Sequence, residues 1–423
     1  MNEAREGLAE GVGFDGSSVQ GFVRIFESDL VLRAKPKTTF IIPDLYKRDD
    51  GVGGMFCDVY TPEGERYEGD SFSVLERQVE RAREKGFHSV NMGPELEFFL
   101  LKDDRQGDVR EKLLDRGHYF GEGADEYGWV RREIVDCLED LEIHVEADHH
   151  EVAPSQHEIN LRYLPASEMA ATAMLYRYLV KEVAKSHELY ATFMPKPLQG
   201  QNGSGMHVHQ SLFRSEGESQ KNAFYDEEGA MHLSKTAQQY IAGILKHAPE
   251  IAAVTNQWVN SYQRLVPGFE APTWLAWGQK NRSALVRVPQ YKPGKENSTR
   301  IEVRFPDPAC NIPLAFAMMI GAGLEGIERG YELRDPVEKD IFLLSGFERE
   351  ELSLQTLPGS LEEATARMES SELARNVLGD HIFGKLVENQ KMEWREYWLE
   401  ARGRDREDHL VTRYELERLL PVL

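Results

Sequence analysis

Cysteine is nearly absent from this sequence of 423 residues: Cys57, Cys137 and Cys310 are the only three, and they lie far apart. An odd, scattered set supports neither a disulfide framework nor a cysteine-rich zinc knuckle, and it fits a reducing compartment. Long apolar runs are missing too. The N-terminal segment has no hydrophobic stretch of the kind a signal peptide needs. The longest apolar run, 312–324, is too short and too broken by glycine to cross a bilayer. Basic residues are outnumbered, 50 against 72 acidic, for a formal net charge of −22. A chain so acidic gains nothing from approaching a phosphate backbone, so neither nucleic acid nor membrane is expected as a partner, and the location is expected to be cytoplasmic. The sequence also lacks a G-x-x-x-x-G-K-[ST] phosphate loop and a strand-linked G-x-G-x-x-G. It has no local signature of a Ser/His/Asp or Cys/His nucleophile.

What is present is ample core material, 41% of residues being hydrophobic, enough for one large domain with a smaller partner. Residues 1 to 70 read as short strands and loops rich in Gly, Asp and Pro. Ser73-Val-Leu-Glu76 reads as a capping box that opens a helix stopped by Gly86. A strand over 88–101 follows, then a helix with Val130, Ile134, Leu138 and Leu141 on one face. Strand-like runs at 143–153 and 158–163, separated by Pro154-Ser155-Gln156, predict a hairpin. A helix over 167–188, strands near 190–195 and 205–212, and helices between 313 and 402 complete the pattern. The fold class is α+β, with a small N-terminal domain (1–75) and a large catalytic domain (76–423) built on an antiparallel sheet covered by helices.

The chemistry is carried by polar residues at spacing two inside these strands. Side chains alternate faces along a strand, so Glu95 and Glu97 in Gly93-Pro-Glu-Leu-Glu-Phe point the same way. The same holds for His207 and His209, and for Arg300, Glu302 and Arg304, while Glu151 and Glu158 lie on the two arms of the hairpin. Singly, each row has a plain explanation: a solvated outer face, a satisfied histidine, or cross-strand ion pairing. Together on one sheet, five carboxylates would crowd a common cavity and retain protons unless divalent cations relieved the charge. Oxygen ligands with a single imidazole suit Mg²⁺ or Mn²⁺ better than zinc, and such ions with phosphate groups are the usual equipment of phosphoryl transfer. Arg264, Arg282, Arg287, Arg300 and Arg304 add guanidinium forks suited to carboxylates and phosphates.

These stretches resemble the glutamine synthetase family, type I. The matching segments are Phe14-Asp-Gly-Ser-Ser, Glu27-Ser-Asp29, Gly93-Pro-Glu-Leu-Glu-Phe, His149-His-Glu-Val-Ala-Pro-Ser-Gln-His-Glu158 and Asn202-Gly-Ser-Gly-Met-His-Val-His. Further matches are Asn260 to Pro272, Asn281-Arg-Ser-Ala-Leu-Val-Arg-Val-Pro and Arg300-Ile-Glu-Val-Arg-Phe-Pro-Asp-Pro, in family order. The resemblance implies a β-grasp N-terminal domain, here short at its start, and a dodecamer of two stacked hexameric rings with active sites between subunits. It implies ammonia, L-glutamate and ATP as substrates and two or more divalent ions per site. Carried over by motif, Glu97, Glu151 and Glu158 resemble the ligands of one ion, and Glu95, His207 and Glu302 those of a second. Asn202, Gly203, Arg264 and Arg304 match glutamate-binding positions, and His209 and Ser211 match ATP contacts. Arg282, Arg287 and Arg300 match positions that hold phosphate. Asp15 resembles the aspartate that a neighbouring subunit lends to the ammonium site, and Glu270 the glutamate of a flap that closes the site. No tyrosine loop for adenylylation is evident between 330 and 360, which implies the unmodified, feedback-inhibited branch, where Arg24 matches an arginine tied to inhibition.

Two other readings share these residues. A glutamate–amine ligase of the same superfamily would differ only in its amine pocket, and retention of Asp15 and Glu270 favours ammonia. A non-catalytic assembly protein on the same scaffold would have lost metal ligands, and all six are present.

Overall fold

The computed structural model describes residues 7, 10–18, 29–42, 52–102, 113–119, 121, 125–217, 219–267, 269–401 and 411–423; Arg24 and Glu27 lie outside them. Near the N-terminus, strands β1 (Val12–Asp15), β2 (Asp29–Ala34) and β5 (Cys57–Tyr60) form an antiparallel sheet in the order β1-β2-β5. Two short strands, β3 (Phe40–Ile42) and β4 (Val52–Gly54), pair with each other.

The first long helix, Ser71–Glu84, starts earlier than the sequence pattern suggests. Its cap is Asp70, whose carboxylate accepts the Phe72 amide at 2.9 Å and is itself held by Arg66 at 2.8 Å. Ser73 therefore falls inside the first turn and makes no capping box. A charged cap fixed by a neighbouring guanidinium outcompetes a serine three residues later. Gly86, with φ +81, ends the helix region as expected.

The larger part of the chain is organised by a ten-stranded sheet. Its path is β13 (Trp274–Gly278), β14 (Ala284–Arg287), β15 (Ile301–Val303), β11 (Met206–Glu216), β6 (Ser89–Lys102), β8 (Gln156–Leu161) and β7 (Val145–His150). Short strands β9 (Leu164–Pro165) and β10 (Leu189–Thr192) pair with β6, and β12 (Ser219–Asn222) pairs with β11. The expected hairpin is present, β7 and β8 being antiparallel neighbours. One pair departs from the expected antiparallel sheet: β13 and β14 run parallel. Nothing in the local pattern of two such short strands sets their relative direction.

Alternation along β6 decides which side faces chemistry. Leu96 and Phe98 are fully buried. The Ala166–Ser186 helix lies against them, Tyr176 donating to the Leu96 carbonyl at 3.3 Å and packing edge-on to Phe98. Glu95 and Glu97 consequently project from the other side. Behind β11, helices Lys235–Thr255 and Ile312–Arg329 cross at glycine. A Cβ on Gly243 would sit 2.2 Å from the Ala322 carbonyl oxygen, and one on Gly326 would sit 2.1 Å from that of Gln239. Tyr240 from the first of these helices donates to Gln210 Oε1 at 2.8 Å, pinning β11 between His209 and Ser211. Among the described residues, no helix is long and apolar enough to cross a membrane.

Candidate active site

Strand register alone brings the polar rows together. Glu95 stands directly opposite His207, and Glu97 opposite Glu158. Glu302 faces His209 on one side and Arg287 on the other. Glu151 follows the end of β7, and its amide donates to the Gln156 carbonyl at 2.7 Å, which closes the turn back towards Glu158.

These side chains open into two adjoining cavities. The first, of about 310 Å³, is lined by Glu95, Glu97, Glu151, Glu158, His207 and Glu302, the six residues expected to hold metal. Asn202, Gly203, Arg264, Arg282, Arg287, Arg304 and Glu270 line it too. The second, of about 450 Å³, is lined by His209, Ser211 and Arg300 together with Asn297, Ser298 and Thr299. Glu95 and Asn160 belong to both walls, so the cavities meet there. Among the described residues, Asp15 lines neither cavity; it is exposed at the end of β1, where it accepts the Ser17 amide at 2.9 Å.

The first cavity is electrostatically divided. At one end, burial and then the neighbouring Glu151 and Glu158 push the Glu97 carboxyl well above its usual range. Burial and Glu158 likewise raise Glu151 to about 7. At the other end, and against the effect of burial, Arg304 and then His209 and His207 hold Glu302 down to about 2. Glu302 accepts from both Arg287 Nε and Arg304 Nη1. Hydrogen bonds from His207 and His209 hold Glu95 well below the carboxylate range, again against burial. Burial and then Arg304 lower His207, so its imidazole is neutral, as a metal ligand must be.

Ligand atoms of Glu95, His207 and Glu302 fall within 4.8 Å of one another, and so do those of His149, Glu151 and Glu158. Both sets fit divalent cations. The carboxylates around Glu151 share a burial and charge penalty that a cation removes, and oxygen-rich donor sets match hard ions. Divalent-ion affinity at the Glu151 end is expected to fall by at least about tenfold per pH unit below pH 7, since a raised carboxyl must lose its proton to ligate. Mn²⁺ titrations across that pH range measure this, and an affinity independent of pH contradicts it.

Two buried guanidinium groups complete the cavity. The Arg264 guanidinium is buried and fixed by backbone carbonyls, Nη1 donating to Phe305 at 2.8 Å and Nη2 to Arg304 at 3.3 Å. Buried Arg304 Nε has no hydrogen-bond partner among the described residues, an unmet donor of the kind a bound carboxylate satisfies. Glu270 sits at φ +57 and accepts from Asn202 Nδ2 at 3.0 Å. A non-glycine residue in the left-handed region stores backbone strain, a common property of segments that move.

Several lining residues escaped the sequence reading. His149 lies 3.4 Å from Glu158 and 3.5 Å from Glu151, beside the more obvious Glu151 in the same His-His-Glu run. Tyr119 stacks edge-on against His149 with ring centroids 5.0 Å apart. Gln156 donates to Glu97 at 3.0 Å and to the Gly203 carbonyl at 3.2 Å, linking two stretches with no sequence relation. Phe269 lies under the Lys196 ammonium at 3.9 Å. His149 and Gln156 each carried a local signal, lying two residues before the candidate ligands Glu151 and Glu158.

Comparison with known proteins supplies an independent line. Residues 68–409 match the family model described as glutamine synthetase, catalytic domain, and residues 1–62 match glutamine synthetase, beta-Grasp domain. The chain is 46% identical to the glutamine synthetase of Mycolicibacterium smegmatis over 99% of its own length and 91% of the relative's. It is 44% identical to that of Thermotoga maritima, over 98% and 90%. Among solved structures it is similar to one described as apo GmaS without ligand, with a TM-score of 0.82, 28% identity and coverage of 99% and 91%. A second, described as a GmaS/ADP complex, gives the same TM-score at 27% identity, covering 99% and 92%.

Proposed function

We propose how this chain, which belongs to the glutamine synthetase family and joins ammonia to glutamate with ATP, divides that reaction among its residues. Glutamate occupies the first cavity, its α-carboxylate on Arg264 and its remaining polar groups near Asn202, Gly203 and Arg304. ATP occupies the second, against His209, Ser211 and Arg300, with its terminal phosphate at the junction by Glu95. What supports this reading above all is the register that places Glu95 opposite His207 and makes Glu95 a wall of both cavities.

The family uses divalent metal. We assign Mg²⁺ or Mn²⁺, one ion to Glu97, Glu151 and Glu158 and another to Glu95, His207 and Glu302. Ions held by these residues would supply positive charge to neutralise the phosphates. A γ-carboxylate oxygen of glutamate bonds to the terminal phosphorus while the bond to ADP breaks, and Arg282 and Arg287 offset the charge on the moving phosphoryl group. The nitrogen lone pair of ammonia then attacks the acyl carbon, and phosphate departs with the former carboxylate oxygen. Asp15 from a neighbouring subunit accepts the proton that ammonium must lose, which fits its position outside the cavities of its own chain. Glu270 closes over the acyl phosphate and keeps water from it.

The same reading includes a β-grasp domain over 1–75, a catalytic domain over 76–423, a dodecamer of two hexameric rings, and a cytoplasmic setting. The curated relatives' shared name does not favour the amine-ligase and assembly-protein alternatives. Phosphate release with Mg²⁺, ATP and glutamate, compared across ammonium, putrescine, ethanolamine and no amine, tests the acceptor. Ammonium-dependent turnover with glutamine as product is the expected result. Turnover with an organic amine alone contradicts it.

A further inference from the structure

Outside the cavities, one buried polar cluster stands out. Asp115, His150 and His157 bring potential ligand atoms within 4.8 Å of each other. Their detailed bonding is that of a brace and not of a metal centre. Arg131 donates to His157 Nδ1 at 2.9 Å, which leaves the ring proton on Nε2, the atom a metal would need. His150 Nε2 is roofed by Gly117 so closely that a Cβ there would lie 2.2 Å from it.

The hydrogen bonds of Asp115 converge instead on the turn between β7 and β8. Its Oδ1 accepts the Ser155 amide at 3.0 Å and the Gly117 amide at 3.1 Å, and lies 3.1 Å from His150 Nε2. The other nitrogen of His150, Nδ1, donates to the Glu151 carbonyl at 2.6 Å. Ser155 is itself held at φ +60, and its hydroxyl accepts the Leu114 amide at 2.8 Å. The next residue, Gln156, carries the tie to Glu97. One buried carboxylate thus fixes both ends of the turn that presents Glu151, Gln156 and Glu158, from a segment roughly 40 residues earlier in the chain.

We propose that Asp115 is a positioning residue for the divalent ion at Glu97, Glu151 and Glu158: through Ser155 and His150 it sets the turn geometry on which that ion's affinity depends. This rests on the two-ion reading given above. Residues that orient ligands from behind typically govern about 10–100-fold in metal affinity, and Glu95, His207 and Glu302, which lie outside the turn between β7 and β8, have no such link to Asp115 among the described residues.

The test is Mn²⁺ titration of the full-length chain, with the two classes of ion assigned by which is lost in Glu158→Gln and which in Glu302→Gln. Asp115→Ala is expected to weaken the Glu158 class by roughly 10–100-fold while leaving the Glu302 class within about twofold. Asp115→Asn, which keeps an oxygen acceptor for the Ser155 and Gly117 amides, is expected to restore most of the affinity. If Asp115→Ala does not fold, Gly117→Ala, whose methyl group displaces the His150 ring, should produce the same selective loss. Equal weakening of both classes, or none in either, overturns the proposal. A wild-type chain with no ion class sensitive to Glu158→Gln overturns the two-ion reading itself, and that outcome is distinguishable from the first two.

Discussion

Replacing Glu302 with alanine is expected to lower kcat by about 100- to 1000-fold, the range seen when one preorganised polar group is removed from a transition-state site. The side chain does two jobs at once. It belongs to the Glu95–His207 cluster, and it is the shared acceptor of Arg287 and Arg304. Without it, two guanidinium groups in a buried wall lose their counter-charge, and Arg304 already has an unmet Nε. Breaking a buried ion pair by removing one partner typically costs about 3–5 kcal/mol, so the alanine variant should also unfold more readily. Glu302→Gln keeps shape and hydrogen-bond acceptance but not charge. It should lose nearly as much activity with a smaller loss of stability. A glutamine variant that works at the wild-type rate would show that the carboxylate is structural only.

The second large effect lies far from the chemistry. Gly326→Ala is expected to destabilise the chain by about 1–3 kcal/mol, read as a lower midpoint in chemical denaturation. The added methyl would meet the Gln239 carbonyl at 2.1 Å, and a backbone oxygen cannot rotate away. The two helices must separate, and with them the Tyr240 hydroxyl that holds Gln210 on β11. Gly384→Ala makes the control. That glycine lies inside the Asp380–Glu400 helix with nothing within 4 Å of a built Cβ, so the same substitution there should stabilise by roughly 0.5–1 kcal/mol. Opposite signs for one chemical change would tie the loss to the helix crossing.

Much of the site was legible because strands repeat every two residues. Glu95 with Glu97, and His207 with His209, announce a shared face from spacing alone, and the sheet register then sets them opposite Glu158 and Glu302. The plain reading of Arg300-Ile-Glu-Val-Arg as cross-strand ion pairing is also correct in part, since Glu302 pairs with Arg287 on the neighbouring strand inside the cavity. What stayed hidden depends on contacts between distant segments. Gln156 reaches Glu97 across 59 residues of chain, and Asp115 reaches Ser155 across 40. Asp115 leaves no periodic trace, and Gln156 leaves only its place two residues before Glu158 on the same strand face. The helix start moved from Ser73 to Asp70 because a salt bridge to Arg66 chose the cap. The parallel pairing of β13 with β14 depends on how the chain between them turns, which two short apolar runs do not encode. Asp15 was recognisable by its motif alone, and among the described residues it lines neither cavity of its own chain.

The central claim, that glutamate is activated by phosphorylation at the junction of the two cavities before ammonia attacks, is tested most directly by following one oxygen atom. Glutamate labelled with ¹⁸O in its γ-carboxylate is turned over with ATP, Mg²⁺ and ammonium, and the released phosphate is analysed by mass. The account predicts one ¹⁸O in phosphate for each glutamine formed, because the oxygen that bonds to phosphorus leaves with it. Glutamine formed alongside unlabelled phosphate would contradict the account, since ATP would then have been cleaved without touching the carboxylate.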